Sequence, residues 1–385
     1  MKLRHLVALA LISALYPAWA NAAWTLTDAD LKTQTIPTIG QWSLKDGLTY
    51  ADTKGAAGQL ATRNIVRLVN GDIKVNTNKG WRVHLRNGDV IMGLPGAISE
   101  KSLTITATDL GNLQVALKDV VCINRGVRPA TITATKDTVI LKNGDQVAGL
   151  LLDVGAEKLQ IQSDIGPVDL TWEKVERIEF SASQSPRKLP ELATRLGFSN
   201  GTIFTTATLS WKDDVVTFQD TNGKACQTPI GTVVSVDVLG GRVVWLAELE
   251  ASEDQQTSLL GTPWPTQINR NVMGQPLRVK GENFTRGLGV HVTSQLLYKL
   301  DGTFKTLALR VGVDDSAKPH GESHVKIVLD GKTLWEKADL KAGELTPLLQ
   351  LDITGGKNLE LNALPHTQLD VQGRVNWIEP ALLRP

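Results

Sequence analysis

The sequence has little charge imbalance. Its 385 residues contain 41 Lys and Arg against 40 Asp and Glu, so the formal net charge is only +1. Such a chain has no strong field with which to hold a phosphate backbone, and a nucleic-acid-binding role is unsupported. Charged residues at 21% and hydrophobic residues at 42% are ordinary globular values, which exclude collagen, long coiled coils and wholesale disorder.

Cysteine is nearly absent, since only Cys122 and Cys226 occur. A disulfide between them would close a long loop if the protein is exported to an oxidising compartment. Both cysteines, however, lie in strand-like stretches of separate repeat units, and a bridge requires Cα atoms within about 7 Å. The sequence leaves this bond open and favours two buried thiols.

Catalytic and metal-binding motifs are also missing. No GxSxG, HExxH or phosphate-binding glycine loop is present. His320 and His324 are four residues apart, but Pro319 and Gly321 break the helix that would align them, so a solvated loop is predicted. We therefore predict no catalytic residue, no metal site and no cofactor. Whether a structural Ca²⁺ ion lies in an Asp-rich loop stays open.

Long apolar runs are confined to the N-terminus. Leu6–Tyr16 is too short to span a bilayer, follows Lys2 and Arg4, and precedes two small-x-small cleavage sites. We predict that residues 1–22 are a signal peptide cut after Ala22. No later apolar run approaches ~18 residues, so the mature protein should be secreted or periplasmic and lack a transmembrane anchor.

The sequence does contain an internal repeat. Alternating apolar stretches surround the dipeptides Asn87-Gly88, Asn143-Gly144 and Asn200-Gly201, which recur 56 and 57 residues apart. Such dipeptides favour tight turns, so each copy should open with a β-hairpin. Asp89 and Asp145 follow two of these turns and are interpreted as turn-stabilising residues.

Four copies of this repeat are predicted, the first of them degenerate. The predicted segments are a first repeat at 23–75, a second at 76–130, a third at 131–184, a linker turn with the fourth repeat at 185–248, and a linker at 249–261. Short strands with apolar residues at every second position describe a small, strongly bent sheet or barrel. The repeats resemble tandem Sm-like small β-barrels, and a scaffold role is the hypothesis for them.

The pattern changes in the C-terminal segment, residues 262–385. Seven or eight longer strands are spaced about 10–15 residues apart, which predicts an antiparallel β-sandwich. The motifs GLGVHVTSQLLYKLDG, RVGVDDSAKPHGESHVKIVLDGKTLWE and VNWIEPALL occur in this order. Together they resemble the NPCBM family, a carbohydrate-binding-module family associated with glycoside hydrolase family 98. The resemblance implies a galactose-binding-domain-like jelly roll, which completes an all-β prediction for the whole chain.

Candidate ligand-binding residues follow from that resemblance and from the needs of sugar recognition, which combines an aromatic face with fixed polar groups. The candidates are Asp314, Asp315, Trp335, His366 and Trp377. Each also has a structural interpretation, which we weigh more heavily because tryptophans in alternating strands are usually buried. Three further motif residues are interpreted as structural. Gly287 and Gly289 allow strands to approach each other closely, and His291 is a buried imidazole.

Three functions remain open at this level. The leading hypothesis is an exported, non-catalytic protein that binds a polysaccharide or an envelope glycan, with the repeats as scaffold. The alternative is a cell-surface or periplasmic structural protein whose sandwich binds another protein. A glycoside hydrolase, or an accessory to one, ranks third because the acids are scattered through turns instead of facing each other across a cleft.

Overall fold

The structure, a computed structural model, describes residues 23–385 except 77–79, 100–101, 108–109, 126–134, 156, 182–190, 258–260, 262–263 and 367–371. The predicted signal peptide therefore lies outside the described residues. The described chain is all-β, as predicted, and its helical elements are short 3-10 helices at Thr62–Asn64, Leu117–Asp119, Ile230–Thr232, Leu246–Glu248 and Asp315–Ala317. In the part of the chain that is described, no helix has the length and apolarity that crossing a bilayer requires.

The N-terminal region consists of four units of short strands. The first unit contains β1 Trp24–Asp28, β2 Thr33–Ile36, β3 Thr38–Ser43, β4 Gly47–Ala51, β5 Ala57–Leu60 and β6 Ile65–Asn70. The second contains β7 Arg82–Leu85, β8 Val90–Ile98, β9 Ser102–Ala107, β10 Gly111–Ala116 and β11 Val120–Asn124. The third contains β12 Asp137–Leu141, β13 Gln146–Val154, β14 Lys158–Ser163, β15 Gly166–Thr171 and β16 Val175–Glu179. The fourth contains β17 Ala193–Phe198, β18 Ile203–Thr206, β19 Ser210–Lys212, β20 Val215–Gln219, β21 Ala225–Pro229 and β22 Val233–Leu239.

The three Asn-Gly dipeptides form the predicted hairpin turns. In each turn only the glycine has positive φ, at 88° for Gly88, 91° for Gly144 and 90° for Gly201. The asparagine acts through its side chain, because its Oδ1 accepts the backbone N–H two residues later at 2.8–3.1 Å. The dipeptide thus supplies both the left-handed residue and the local hydrogen bond that a tight turn requires.

The units join edge to edge in an order that differs from their order in the chain. The third unit pairs with the second through β16 and β11, the second with the fourth through β8 and β18, and the fourth with the first through β22 and β6. A second sheet links the first and fourth units through β3 and β19. No pairing among the described residues closes a unit into a barrel, so the barrel form of the repeat is not confirmed.

One hydrophobic core runs through the four units. Tryptophans form its largest contacts, since the Trp24 and Trp211 rings meet edge to face at 5.2 Å and the Trp81 and Trp172 rings at 4.7 Å. Cys122 and Cys226 are both buried thiols, and no disulfide joins these two residues. The units bury their apolar faces against one another, as short repeats must to be stable.

The C-terminal strands form a two-layer sandwich. Its strands are β23 Val243–Trp245, β24 Glu253–Gln256, β25 Gln267–Ile268, β26 Leu277–Val279, β27 Glu282–Phe284, β28 Gly287–His291, β29 Ser294–Lys299, β30 Thr306–Val313, β31 Glu322–Leu329, β32 Lys332–Lys341, β33 Leu349–Asp352, β34 Asn358–Pro365 and β35 Arg374–Leu383. One sheet has the order β25-β28-β35-β30-β33 with β23 paired to β35, and the other has the order β24-β29-β34-β31-β32. Alternate residues of both sheets meet in a core that includes Leu296, Val311 and Trp377.

The sandwich begins pairing before residue 262. Strand β23 pairs with β35 and strand β24 pairs with β29, although these segments fall in the predicted fourth repeat and in the predicted linker. The sequences of β23 and β24 did not predict these partners, because strand pairing depends on residues that are far apart in the chain. The exact domain boundaries stay predictions.

The junction between the two regions combines strand pairing with charged contacts. The Asp237 carboxylate, in the fourth unit's last strand β22, lies 3.3 Å from Arg67 Nε and 3.2 Å from Arg286 Nη2. The Arg286 guanidinium also lies 4.4 Å above the Trp245 ring centroid. A small apolar cluster that includes Val66 and Ala381 lies beside these contacts.

Candidate functional site

Trp264 is an exposed tryptophan at one end of the sandwich. Its side chain is 39% accessible to solvent, and its ring stacks on the His291 imidazole with 5.6 Å between centroids and 15° between planes. Two prolines, Pro263 and Pro265, flank it in the sequence. Pro265 restricts the backbone of the preceding residue, Trp264, so less conformational freedom is left to lose when a ligand binds the indole.

Polar groups lie beside this stacked pair. His291 ends strand β28 and is paired across the sheet with Arg374, the first residue of β35. The Arg374 Nη1 donates hydrogen bonds to the Ser316 carbonyl at 2.8 Å and to its Oγ at 3.1 Å. We call Trp264, His291, Ser316 and Arg374 the Trp264 surface. It joins an apolar ring face to fixed hydrogen-bonding groups, which is the composition that sugar recognition needs.

The sequence-predicted acids lie next to this surface but serve the fold. Asp314 is 1% exposed, and its carboxylate accepts hydrogen bonds from the side-chain amides of Asn271 at 3.0 Å and Asn376 at 2.7 Å. It also accepts the backbone N–H groups of Ser316 and Arg278. These hydrogen bonds connect Asp314, which follows strand β30, to strand β35 through Asn376 and to the hairpin strand β26 through Arg278.

Asp315 fixes the hairpin between β26 and β27. Its carboxylate accepts the backbone N–H groups of Lys280 at 3.1 Å and Gly281 at 2.7 Å, and it forms an ion pair with Lys318 at 2.8 Å. Partial desolvation acts to raise the pKa of this carboxyl, but the Lys318 contact and the two backbone donors together hold it below its usual value.

The two sequence-predicted tryptophans differ in burial, and neither is fully exposed. Trp377 has 0% exposure and packs in the sandwich core, which corrects its assignment as a ligand-stacking residue. Its position between two core strands leaves no surface for a ligand, as the structural interpretation held. Trp335 lies on the edge strand β32, half-buried against the same core.

His366 is exposed but lies on the other sheet. Its Nδ1 is 2.6 Å from the Ala338 carbonyl and its Nε2 is 3.5 Å from the Glu322 carboxylate. The structure therefore does not bring His366, Trp335 and Trp377 together into one site. Within the described ranges, no three His, Cys, Asp or Glu residues are grouped as a metal would need.

The motif glycines and His291 differ in outcome. A Cβ on Gly289 would collide with the backbone of Arg270 and Asn271, and one on Gly287 would lie 2.5 Å from the Trp377 carbonyl oxygen. Both positions therefore have the close backbone approach that we predicted. His291, which we interpreted as a buried imidazole, is half-buried and stacked on Trp264. Sequence reasoning missed Trp264 itself, whose signal was a tryptophan between two prolines in a polar segment.

Comparisons with known proteins agree with the C-terminal motifs. Residues 242–383 match the family model of the NPCBM/NEW2 domain. A Renibacterium salmoninarum protein, provisionally named an endo-alpha-N-acetylgalactosaminidase, is 26% identical over 88 residues, which are 23% of this chain and 6% of that protein. The chain thus spans only a small part of that relative's length.

Several of the solved structures that match this chain contain carbohydrate-binding modules. A CBM51 from Clostridium perfringens GH95, in complex with methyl-galactose, is 19% identical, with a TM-score of 0.33 over 36% of this chain and 99% of that chain. The CBM51-2 and INT domains of Clostridium perfringens ZmpB, in complex with GlcNAc, are 17% identical, with a TM-score of 0.34 over 46% and 37%. The tandem CBM51 modules of a Streptococcus pneumoniae family 98 glycoside hydrolase are 12% identical, with a TM-score of 0.33 over 94% and 88%.

The family match alone covers more than a third of the chain, from strand β23 almost to the C-terminus. The C-terminal region of this protein is therefore similar to the NPCBM family, as its motifs predicted.

Proposed function

We propose that this protein binds carbohydrate through the Trp264 surface and catalyses no reaction on it. The observation that carries the proposal is the exposed Trp264 ring stacked on His291, with the Arg374 guanidinium on the adjacent strand. An indole face contacts the C–H groups of a pyranose ring, and nearby donors bind its hydroxyls. The match of residues 242–383 to the NPCBM/NEW2 domain supports the same function.

A glycan array tests this proposal with the mature chain from residue 23. Methyl-galactose and GlcNAc are suitable first probes, alongside neutral polysaccharides. We expect retention on at least one glycan, lost about tenfold or more in Trp264→Ala because one stacking contact is removed. Trp335→Ala, which alters a half-buried tryptophan away from the Trp264 surface, is the matched control. Absence of retention on every glycan at millimolar concentration would refute the proposal.

Export and a scaffold role for the four units complete the proposal. The basic n-region, the short apolar run and the cleavage sites within residues 1–22 support export. N-terminal sequencing of the protein recovered outside the cytoplasm should give Ala23 as the first residue. A mature chain that retains Met1 and stays in the cytoplasm would contradict this part.

Protein binding is the second candidate, and one observation in the third unit favours it. Leu150 and Leu152 lie on the same side of β13 and are 61% and 43% exposed, and Ile165 at the β14–β15 turn is 95% exposed. Exposed apolar clusters often mark contacts with other proteins. A cross-linked partner that is lost in Leu150→Gln with Leu152→Gln, while glycan retention is unchanged, would show that the units do more than support the sandwich.

A further inference from the structure

The outer face of the sheet β24-β29-β34-β31-β32 carries a continuous row of polar side chains. Directly paired residues contribute one side chain from each strand. In spatial order they are Gln255, Gln295, Asn362, Lys326 and Glu336. We call them the amide row.

These side chains point away from the sandwich core. Their chain neighbours Leu296, Leu361 and Ile327 are buried in the core, and successive residues of a strand point to opposite faces. The amide row therefore crosses the solvent-facing side of the sheet. A groove of about 480 Å³ lies along it, lined by Gln295, Lys326, Asn362 and, among others, Thr257, Thr293 and Glu360.

The groove offers both hydrogen-bond donors and acceptors in a fixed arrangement. Glu360 Oε2 accepts the amide of Gln295 at 2.8 Å and that of Asn362 at 3.4 Å. Lys326 makes no ion pair within the described part of the chain, although Glu336 faces it across the strand pair. Amides, one ammonium and one carboxylate together suit a ligand that is rich in hydroxyl groups.

The balance of charge selects the class of ligand. Lys326 and Glu360 line the same groove with opposite charges, so a polyanion would meet a carboxylate and a polycation would meet an ammonium. No aromatic side chain is among the lining residues, so contacts here would be hydrogen bonds and not ring stacking. An uncharged, polyhydroxylated chain fits both facts.

The groove reaches the Trp264 end of the sandwich. Thr257 and Thr293 line the groove at this end, and the Thr293 carbonyl accepts the Thr257 backbone N–H at 2.9 Å. Thr293 lies two residues after His291, and two residues span at most about 7 Å of chain. His291 itself points to the outer face of the other sheet, because its chain neighbours Val290 and Val292 are buried in the core. The groove and the Trp264 surface are therefore separate surfaces near the same end of the sandwich, on opposite sheets.

We propose that the amide row is a second carbohydrate-contacting site, separate from the Trp264 surface, which binds consecutive sugars of an uncharged polysaccharide. This inference rests on the proposed carbohydrate binding and extends it from a single sugar to a chain. It assigns the sheet face a ligand contact that Trp264 alone cannot make.

Affinity electrophoresis of the mature chain tests the inference, with gels that contain galactan, dextran or mannan and with the corresponding monosaccharides as soluble competitors. The variants Asn362→Leu and Lys326→Met should weaken retardation by the retained polysaccharide about fivefold each, because each removes one hydrogen-bonding group. Their inhibition by the monosaccharide should be unchanged. Lys332→Met, on the exposed start of β32 outside the groove, is the matched control and should behave as wild type.

The outcomes separate this inference from the proposed function. Loss of retardation in Trp264→Ala with wild-type behaviour of both groove variants would overturn the second site and leave the proposed function intact. Loss in the groove variants with wild-type behaviour of Trp264→Ala would support the groove and overturn the Trp264 surface. Retardation by polygalacturonate alone, or by no polysaccharide, would overturn the inference. Equal thermal unfolding midpoints of all variants show that they are folded.

Discussion

Tryptophan is used differently in the four N-terminal units and in the sandwich. Every described tryptophan of the units is buried, and Trp24, Trp42 and Trp211 pack on one another in the core. The sandwich buries Trp377 in the same way but exposes Trp264 at its end. The comparison shows that the tryptophans in alternating strands of the units support the fold, whereas Trp264, in a polar segment between two prolines, is exposed at the surface.

The largest expected difference in stability comes from replacing one buried and one exposed tryptophan by alanine. Trp211→Ala should destabilise the protein by about 4 kcal/mol, because it removes a fully buried ring from a packed core. Trp264→Ala should change stability by less than about 0.5 kcal/mol, since Trp264 is exposed and belongs to none of the described core clusters. Urea unfolding of both variants measures the difference. Equal losses of stability would mean that Trp264 supports the fold and would remove the contrast.

A second contrast lies within the units, at two equivalent turn positions. Asp89 is 1% exposed and accepts hydrogen bonds from Thr205 N at 2.6 Å and Thr205 Oγ1 at 2.7 Å, with Arg195 Nε at 3.5 Å. Asp145 is exposed and bonds only within its own turn, to Asn143. The fourth unit covers the turn at Asp89 in the second unit, whereas the turn at Asp145 in the third unit is exposed to solvent.

Asp89→Ala should therefore cost about 3 kcal/mol, because buried donors and the Arg195 guanidinium lose their acceptor. Asp145→Ala should cost less than about 0.5 kcal/mol. Denaturant midpoints of the two variants measure the difference. If both substitutions cost the same, the pairing of the second and fourth units would be wrong.

These examples show what the sequence could predict and what it could not. The Asn-Gly hairpins, the all-β class and the NPCBM motifs were predictable because each depends on residues close together in the chain. The order in which the units pair was not, because it depends on which strand edges meet. The same limit applies to Asp89 and Asp145, since both were interpreted as turn residues and only the neighbouring unit distinguishes them.

The candidate site was harder to predict for a related reason. Alternation identified Trp377 as a strand residue, but alternation alone does not tell which layer covers the strand. The motif residue His291 was identified, yet its partner Trp264 lies in a segment that was interpreted as the start of the sandwich after a linker. Nothing local in the sequence connects the two rings.

A smaller effect is expected at the junction between the units and the sandwich. Asp237→Asn removes the carboxylate that is shared by the half-buried side chains of Arg67 and Arg286. The substitution should lower the free energy of unfolding by about 1–2 kcal/mol. Asp30→Asn, which removes an exposed partner of Arg242 at 3.6 Å, should have no measurable effect. Calorimetry should show that Asp237→Asn broadens unfolding or separates it into two transitions. A single, unshifted transition would show that the charged contact does not couple the regions.

The smallest expected effect is a difference in acid sensitivity between the two regions. The pKa of Asp315 in the sandwich is lowered by folding, so its contribution to stability is present above pH ~4 and is lost as the pH falls through the folded pKa. Burial raises the pKa of Asp89 in the units, so protonation of that carboxyl favours the folded state. Acidification should thus weaken the sandwich relative to the units.

Amide hydrogen exchange between pH 6 and pH 3 can measure this difference in each region. Asp315→Asn should reduce the acid sensitivity of the sandwich by less than about 1 kcal/mol and leave the units unchanged. Asp339→Asn, at an exposed position of the same sandwich, is the control for a general loss of charge. A sandwich that gains protection on acidification would contradict the assignment of Asp315.

The central claim is that a glycan contacts the exposed indole of Trp264 and not the buried one of Trp377. Fluorine NMR of the mature chain labelled with 5-fluorotryptophan tests it directly, with resonances assigned from Trp264→Phe and Trp377→Phe. Titration with the glycan retained on the array should move the Trp264 resonance and leave the Trp377 resonance in place. A shift confined to tryptophans of the four units, with Trp264 unmoved at saturation, would contradict the account.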